Sequence, residues 1–137
     1  MNQKAVSYGL LVARVVLGII MLAHGIQKWM GIEGVVGMFE DMIGLPGFLA
    51  YVTAAVELVG GLALIIGFKV RIASILIGII MIGAMVTVKI PMVGFFGNGQ
   101  MAGWEYDLSL LALAVLLSLS GSQLFSIDGK SSSETHV

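Results

Sequence analysis

"RVVLGIIMLAHGIQKW" (residues 14–29) is a mostly apolar run, yet it carries Arg14, His24 and Lys28. A charged group at the centre of a spanning helix costs at least ~2.5–3.5 kcal/mol on insertion scales, so each of these side chains needs a partner, an interface or a task. The rest of the chain indicates the solvent. Of 137 residues, 58% are hydrophobic and only 11% are charged, and the mean hydropathy is +1.05. A soluble domain of this length needs more polar surface to cover its core. The fold class is therefore all-α and integral to a membrane.

Four segments approach the roughly 20 apolar residues that span ~30 Å of hydrocarbon. They are residues 7–29, 48–67, 70–90 and 104–121. The expected architecture is a four-helix bundle over residues 1–129, followed by a mobile polar tail at residues 130–137. The first helix contains Arg14 and is followed by no evident small-residue cleavage site, so it reads as a retained helix and not a signal peptide. A Gly-rich, acidic first loop, residues 31–47, has room for a short interfacial helix. The turn "GFKVR" (residues 67–71) is short enough to make helices two and three antiparallel neighbours. Lys4, Lys69, Arg71 and Lys130 fall on one side of the membrane. Lys28 and Lys89 fall on the other, with Glu33, Glu40, Asp41, Glu105 and Asp107. The positive-inside rule then makes both termini cytoplasmic and the protein a multi-pass component of the cell membrane.

Several classes are excluded. A net charge of −1 leaves no electrostatic footprint for nucleic acid. Without cysteine there is no disulfide, thiolate-held zinc or iron–sulfur cluster within the chain. Two histidines, His24 and His136, are too few for a protein-only metal cage, so no metal site is expected. The glycines of "GFFGNGQMAG" do not make a dinucleotide loop, because no strand precedes them.

At 1.5 Å per residue, Arg14 lies roughly 9 Å and Glu57 roughly 15 Å from the cytoplasmic helix ends. An Arg14–Glu57 ion pair is the simplest way to satisfy both, as a structural pair fixing the bundle's register. The alternative for Arg14 is to snorkel to the interface. Glu57 has no such escape. Near the outer end, His24, Lys28, Lys89, Glu105 and Asp107 reach similar depths and form a second polar cluster, with His24 facing the acidic start of helix four. Trp29, Trp104 and Tyr106 are interfacial anchors beside it. His24 reads either as a hydrogen-bonded packing residue or as a proton-handling group. Gly60 and Gly61 allow another helix to approach closely.

The ordered set "RVVLGIIMLAHGIQK", "ELVGGLALIIGFKVRIA", "GWEYDLSLLALAVLLSLSG" and "FSID" resembles the DoxX family of small four-helix membrane proteins, over about residues 11–128. Arg14, Gly18, His24, Gly25, Lys28, Glu57, Gly60, Gly67, Arg71 and Glu105 fall on that family's recurrent polar and glycine positions. The resemblance implies membership and a four-helix bundle. Its members are often labelled candidate oxidoreductases, sometimes linked to catechol or quinone stress.

The functional expectation is a membrane subunit of an oxidoreductase, or a quinone-interacting redox protein. No cofactor is held within the chain, so the electron carrier is a lipid quinone, a soluble redox partner or a group shared across a homo-oligomer. His24, Glu57 and Glu105 are the candidate catalytic residues. Lys28, Trp104 and Asp107 are candidate ligand-binding residues, with Phe95 or Phe96 stacking on the ring. Two other classes stay open: a non-catalytic assembly protein, and a small proton-coupled transporter using Glu57, which an arginine partner would neutralise.

Overall fold

The computed structural model describes residues 2–134, and side chains as far as residue 130. His136 and the end of the expected tail lie outside the described residues. Helix α1 (Gln3–Met30) opens under Asn2, whose side chain accepts from Ala5 N at 2.7 Å and so satisfies one of the free donors of the first turn. The first loop holds a short helix α2 (Ile32–Gly37) that widens into a π-helical turn, Met38–Ile43. Helix α3 (Phe48–Ile66) follows Pro46, and α4 (Val70–Ala84) continues as a π-helical segment, Met85–Val93, around Pro91. Helix α5 (Trp104–Ser120) is succeeded by α6 (Ile127–Glu134), which carries helix into residues expected to belong to the polar tail.

Among the described residues three helices are long and apolar enough to cross a membrane: Gln3–Met30, Phe48–Ile66 and Val70–Val93. The 17-residue α5 lies against α4, and the main helix contacts run α1–α3, α3–α4, α4–α5 and α5–α1. Leu17, Met21, Leu64, Ile77, Met81, Leu110 and Leu117 form the core where these helices meet. The outward faces are just as apolar, with Val12, Ile19, Val59, Ile79 and Leu119 exposed. A surface of that composition is stable only against lipid, and the molecule is a multi-pass helical membrane protein.

Hydrophobic driving force is weak between helices in lipid, so close packing has to hold them. The α1–α3 contact is made by glycines. A Cβ added at Gly25 would lie 2.6 Å from Leu58 N, and one added at Gly18 would lie 2.8 Å from Gly61 O. Gly61 meets Leu22 N at 2.5 Å in the same way, while Gly60 faces Ile77 of α4. The two helices run antiparallel with their backbones in contact.

The end of the bundle that carries the termini is tied by "FSID". Arg14 Nη2 donates to Phe125 O at 3.0 Å. The Asp128 carboxylate accepts from Lys69 N (2.8 Å) and Val70 N (3.0 Å), satisfying free donors at the start of α4 where the helix dipole favours an anion. Asp128 N in turn donates to Gly67 O at 2.9 Å. Gly67 has φ +74, and a side chain there would collide with Arg14 Nη1 and Ser126, so two separate demands fix glycine in this turn.

Substituting valine at Gly25 or Gly61 forces α1 and α3 apart. Each is expected to lower the unfolding free energy by at least ~1–3 kcal/mol, the usual range for overpacking. Gly83→Ala, where a Cβ meets nothing within 4 Å, is the matched control and is expected to leave stability unchanged or slightly higher. Denaturation of the purified protein in mixed micelles, followed by circular dichroism, makes the comparison.

Candidate functional site

A cavity of about 400 Å³ opens at the end of the bundle away from the termini. Its polar wall is made by His24, Gln27 and Lys28 of α1, Glu57 of α3, Lys89 of the π segment, and Tyr106 and Asp107 of α5. Met21, Met38, Met81 and Met101 supply much of the apolar remainder. This lies within the size range of small-molecule sites and has their usual make-up, apolar walls with a few convergent polar groups.

Glu57 is 2% exposed and sits near the middle of α3. Its Oε1 accepts from Lys28 Nζ at 2.6 Å, so the expected Arg14–Glu57 pair is replaced by Lys28–Glu57. The reason is the direction in which helical side chains lean. They slant toward the N-terminus of their own helix. In antiparallel α1 and α3 this sends Arg14 toward the termini and away from Glu57. The same slant sends Lys28 back into the bundle and tilts Glu57 toward Lys28. Gly25, one turn before Lys28, brings the backbones close enough for the lysine to reach. Arg14 stays buried at 1% exposure and takes the Phe125 carbonyl instead.

The remaining groups are held from several elements. His24 Nδ1 lies 2.8 Å from Ile20 O. A carbonyl can only accept, so Nδ1 donates this hydrogen bond and Nε2 is the ring nitrogen left for another contact. The imidazole stacks on Tyr106 with centroids 6.0 Å apart. Lys89 Nζ donates to Ala102 O at 2.6 Å and stands 3.4 Å from Asp107 Oδ2, an ion-pair distance without hydrogen-bond geometry. Glu57 Oε2 and Asp107 Oδ2 are buried and have no hydrogen-bond partner among the described residues. Two cations, two carboxylates, an imidazole and a phenol thus share one apolar enclosure.

The structure brings together four of the six site residues read from the sequence: His24, Lys28, Glu57 and Asp107. Glu105 is exposed and outside the lining. The buried face of α5 is Asp107, Leu110, Ala114 and Leu117, and a position two residues from Asp107 is rotated by about 200° on a helix of 3.6 residues per turn. Trp104 is half-buried but also outside the lining, with its ring edge-on to Phe95 at 4.6 Å. Phe95 and Phe96 pack on each other at 4.9 Å in the loop, away from the cavity wall. Tyr106 and the methionines were not read as site residues. Tyr106 carried a signal, being the neighbour of Asp107 at the same depth, whereas nothing in the sequence separates the four cavity methionines from the other five.

A helical, multi-pass membrane protein with an internal polar cavity is the class this arrangement defines. The DoxX family model matches residues 9–90, a region that holds Arg14, His24, Lys28, Glu57 and Lys89. A protein of Bacillus subtilis (strain 168) named "Putative oxidoreductase CatD" is 41% identical over 126 residues, covering 92% of this chain and 89% of that one. The chain belongs to the DoxX family. An "Uncharacterized membrane protein Rv3486" of Mycobacterium tuberculosis is 34% identical over 125 residues, covering 84% and 76% of the two chains. The "Inner membrane protein YqjF" of Escherichia coli (strain K12) is 34% identical over 73 residues, 53% of this chain and 55% of that one. No solved structure matches the chain.

Lys28→Met leaves Glu57 in the bundle without its cation. Breaking a buried pair from one side is expected to cost about 3 kcal/mol or more, while Lys28→Met combined with Glu57→Leu recovers most of the loss. The readout is the same mixed-micelle denaturation. A Lys28→Met variant as stable as the parent contradicts the pairing.

Proposed function

We propose that this DoxX protein spans the membrane with α1, α3, α4 and α5, keeps both termini in the cytoplasm, and binds the head of a lipid-soluble quinone or quinol in the cavity of about 400 Å³. In this reading it is the membrane subunit of an oxidoreductase. The observation that carries it is the unpartnered Glu57 Oε2 in a cavity that His24, Lys28 and Lys89 also line. A quinol ring presents hydroxyl donors and a quinone ring presents carbonyl acceptors. His24 Nε2 and Glu57 Oε2 suit the first, and the two lysines suit the second.

The ring of such a ligand supplies two-electron redox chemistry that the side chains lack. What the chain contributes is binding and proton handling. His24 Nε2 and Glu57 Oε2 take a proton from a ring hydroxyl, Tyr106 offers a face for stacking, and the methionines fit an apolar ring without a fixed shape requirement. Electrons pass to a redox partner protein, since the chain has no cysteine to hold a cluster. The name of the Bacillus subtilis relative supports an oxidoreductase role. A transporter finds less support, because Lys28 already holds Glu57 as an internal counter-ion.

A tail-less benzoquinone or naphthoquinone analogue, titrated into the purified protein in nanodiscs and followed by tyrosine and tryptophan fluorescence, tests the proposal. Saturable binding is expected, weakened about ten-fold or more by His24→Phe, which removes the ring nitrogens, or by Glu57→Gln, which replaces a charged acceptor by a neutral amide that cannot take a proton. Glu105→Gln is expected to bind as the parent does, because that side chain lies on the other face of α5. Absence of saturable binding, or equal affinity across all four proteins, contradicts it.

A further inference from the structure

A second cavity, of about 240 Å³, lies at the opposite end of the molecule from the proposed quinone site. Gln3, Ser7 and Arg14 line it from one stripe of α1, and Ser120, Ser122 and Gln123 line it from the end of α5 and the segment beyond. No acidic side chain lines it among the described residues. Arg14 is 1% exposed and spends one N–H on Phe125 O, while its Nε and Nη1 have no hydrogen-bond partner among the described residues. Ser122 Oγ is likewise buried and unpartnered. Asp128 is the carboxylate whose field reaches Arg14, but its two oxygens already accept from Lys69 N and Val70 N.

Buried guanidinium N–H groups and a buried hydroxyl without acceptors are costly unless something accepts from them. The wall of this cavity holds the positive charge, hydroxyls and amides that an anion requires. It is also preformed. Ser126 Oγ donates to Gln123 O at 3.2 Å and accepts from Gly129 N at 3.0 Å, fixing the segment that carries Ser122. We infer that this cavity binds an oxyanion, a phosphate or sulfate group whose oxygens accept from Arg14 Nε and Ser122 Oγ. A phosphate can reach it as the free ion or as the headgroup of an anionic phospholipid, since the cavity lies near the ends of α1 and α5, at headgroup level for a spanning bundle.

The test uses the full chain purified in a non-ionic detergent. Thermal unfolding is measured in sodium phosphate and sodium sulfate against chloride at matched ionic strength. In parallel, native mass spectrometry of protein released from nanodiscs of phosphatidylcholine with phosphatidylglycerol counts retained lipid. Ser122→Val removes the proposed hydroxyl donor and Ser7→Asp places a competing carboxylate on the cavity wall. A saturable rise in melting temperature with phosphate or sulfate, weakened at least ten-fold in affinity by both variants, supports a free oxyanion. Selective retention of phosphatidylglycerol, lost in both variants, supports a headgroup. No saturable effect of either ligand, or the same binding in the parent and both variants, overturns the inference. Arg14→Gln is the direct variant, and should it fail to fold, Ser7→Asp decides.

Discussion

A carboxylate inside an apolar bundle is tolerated only where a cation or a set of donors meets it. Glu57 is met by Lys28 at 2.6 Å because α1 and α3 touch through glycine. Without Gly25 and Gly61 the backbones stand farther apart, and a lysine near the end of α1 no longer reaches the middle of α3. The glycines therefore do more than pack. They set the spacing at which an internal ion pair can exist, and that pair leaves one carboxylate oxygen facing a cavity. The polar groups from α5 and the π segment gather around the same space, so the cavity inherits its position from the α1–α3 contact.

The two ends of the molecule do different physical work. At the end with the termini, Arg14, Phe125, Asp128 and the Gly67 turn form hydrogen bonds that tie α1, α3, α4 and the chain after α5 together, while Arg14 Nε and Nη1 face the smaller cavity without a partner among the described residues. At the other end the polar groups are also incompletely satisfied: Glu57 Oε2 and Asp107 Oδ2 are buried with no hydrogen-bond partner among the described residues. Rigid elements carry the unsatisfied groups, which is the arrangement expected of a site prepared for a ligand. The π segment contributes to this by bringing Val88 and Lys89, adjacent in sequence, onto the same cavity wall.

Membrane insertion and the positions of the long helices were legible in the sequence, since a run such as residues 48–67 has no other stable solvent. Four members of the outer cluster, His24, Lys28, Lys89 and Asp107, were legible too, because depth along a helix follows from counting residues. Counting does not give direction. Arg14 and Glu57 are near in depth but their side chains lean apart, and Lys28 reaches Glu57 by leaning the other way. Glu105 and Asp107 have almost equal depth and opposite faces, a difference that helical phase against Leu110 and Ala114 reveals once the buried face of α5 is known. The role of "FSID" was invisible in one dimension, because its partners Arg14 and Lys69 lie far away in the chain and are brought together only by the fold.

The pairing of Glu57 is open to direct measurement. Solid-state NMR of reconstituted protein, with the glutamate side-chain carboxyl carbons labelled with ¹³C and either lysine or arginine side chains labelled with ¹⁵N, reports which cation touches Glu57, its signal assigned by difference against Glu57→Gln. Strong dipolar dephasing from a lysine Nζ, abolished by Lys28→Met, is the predicted result. Dephasing from arginine nitrogens, or none from either, would contradict the account.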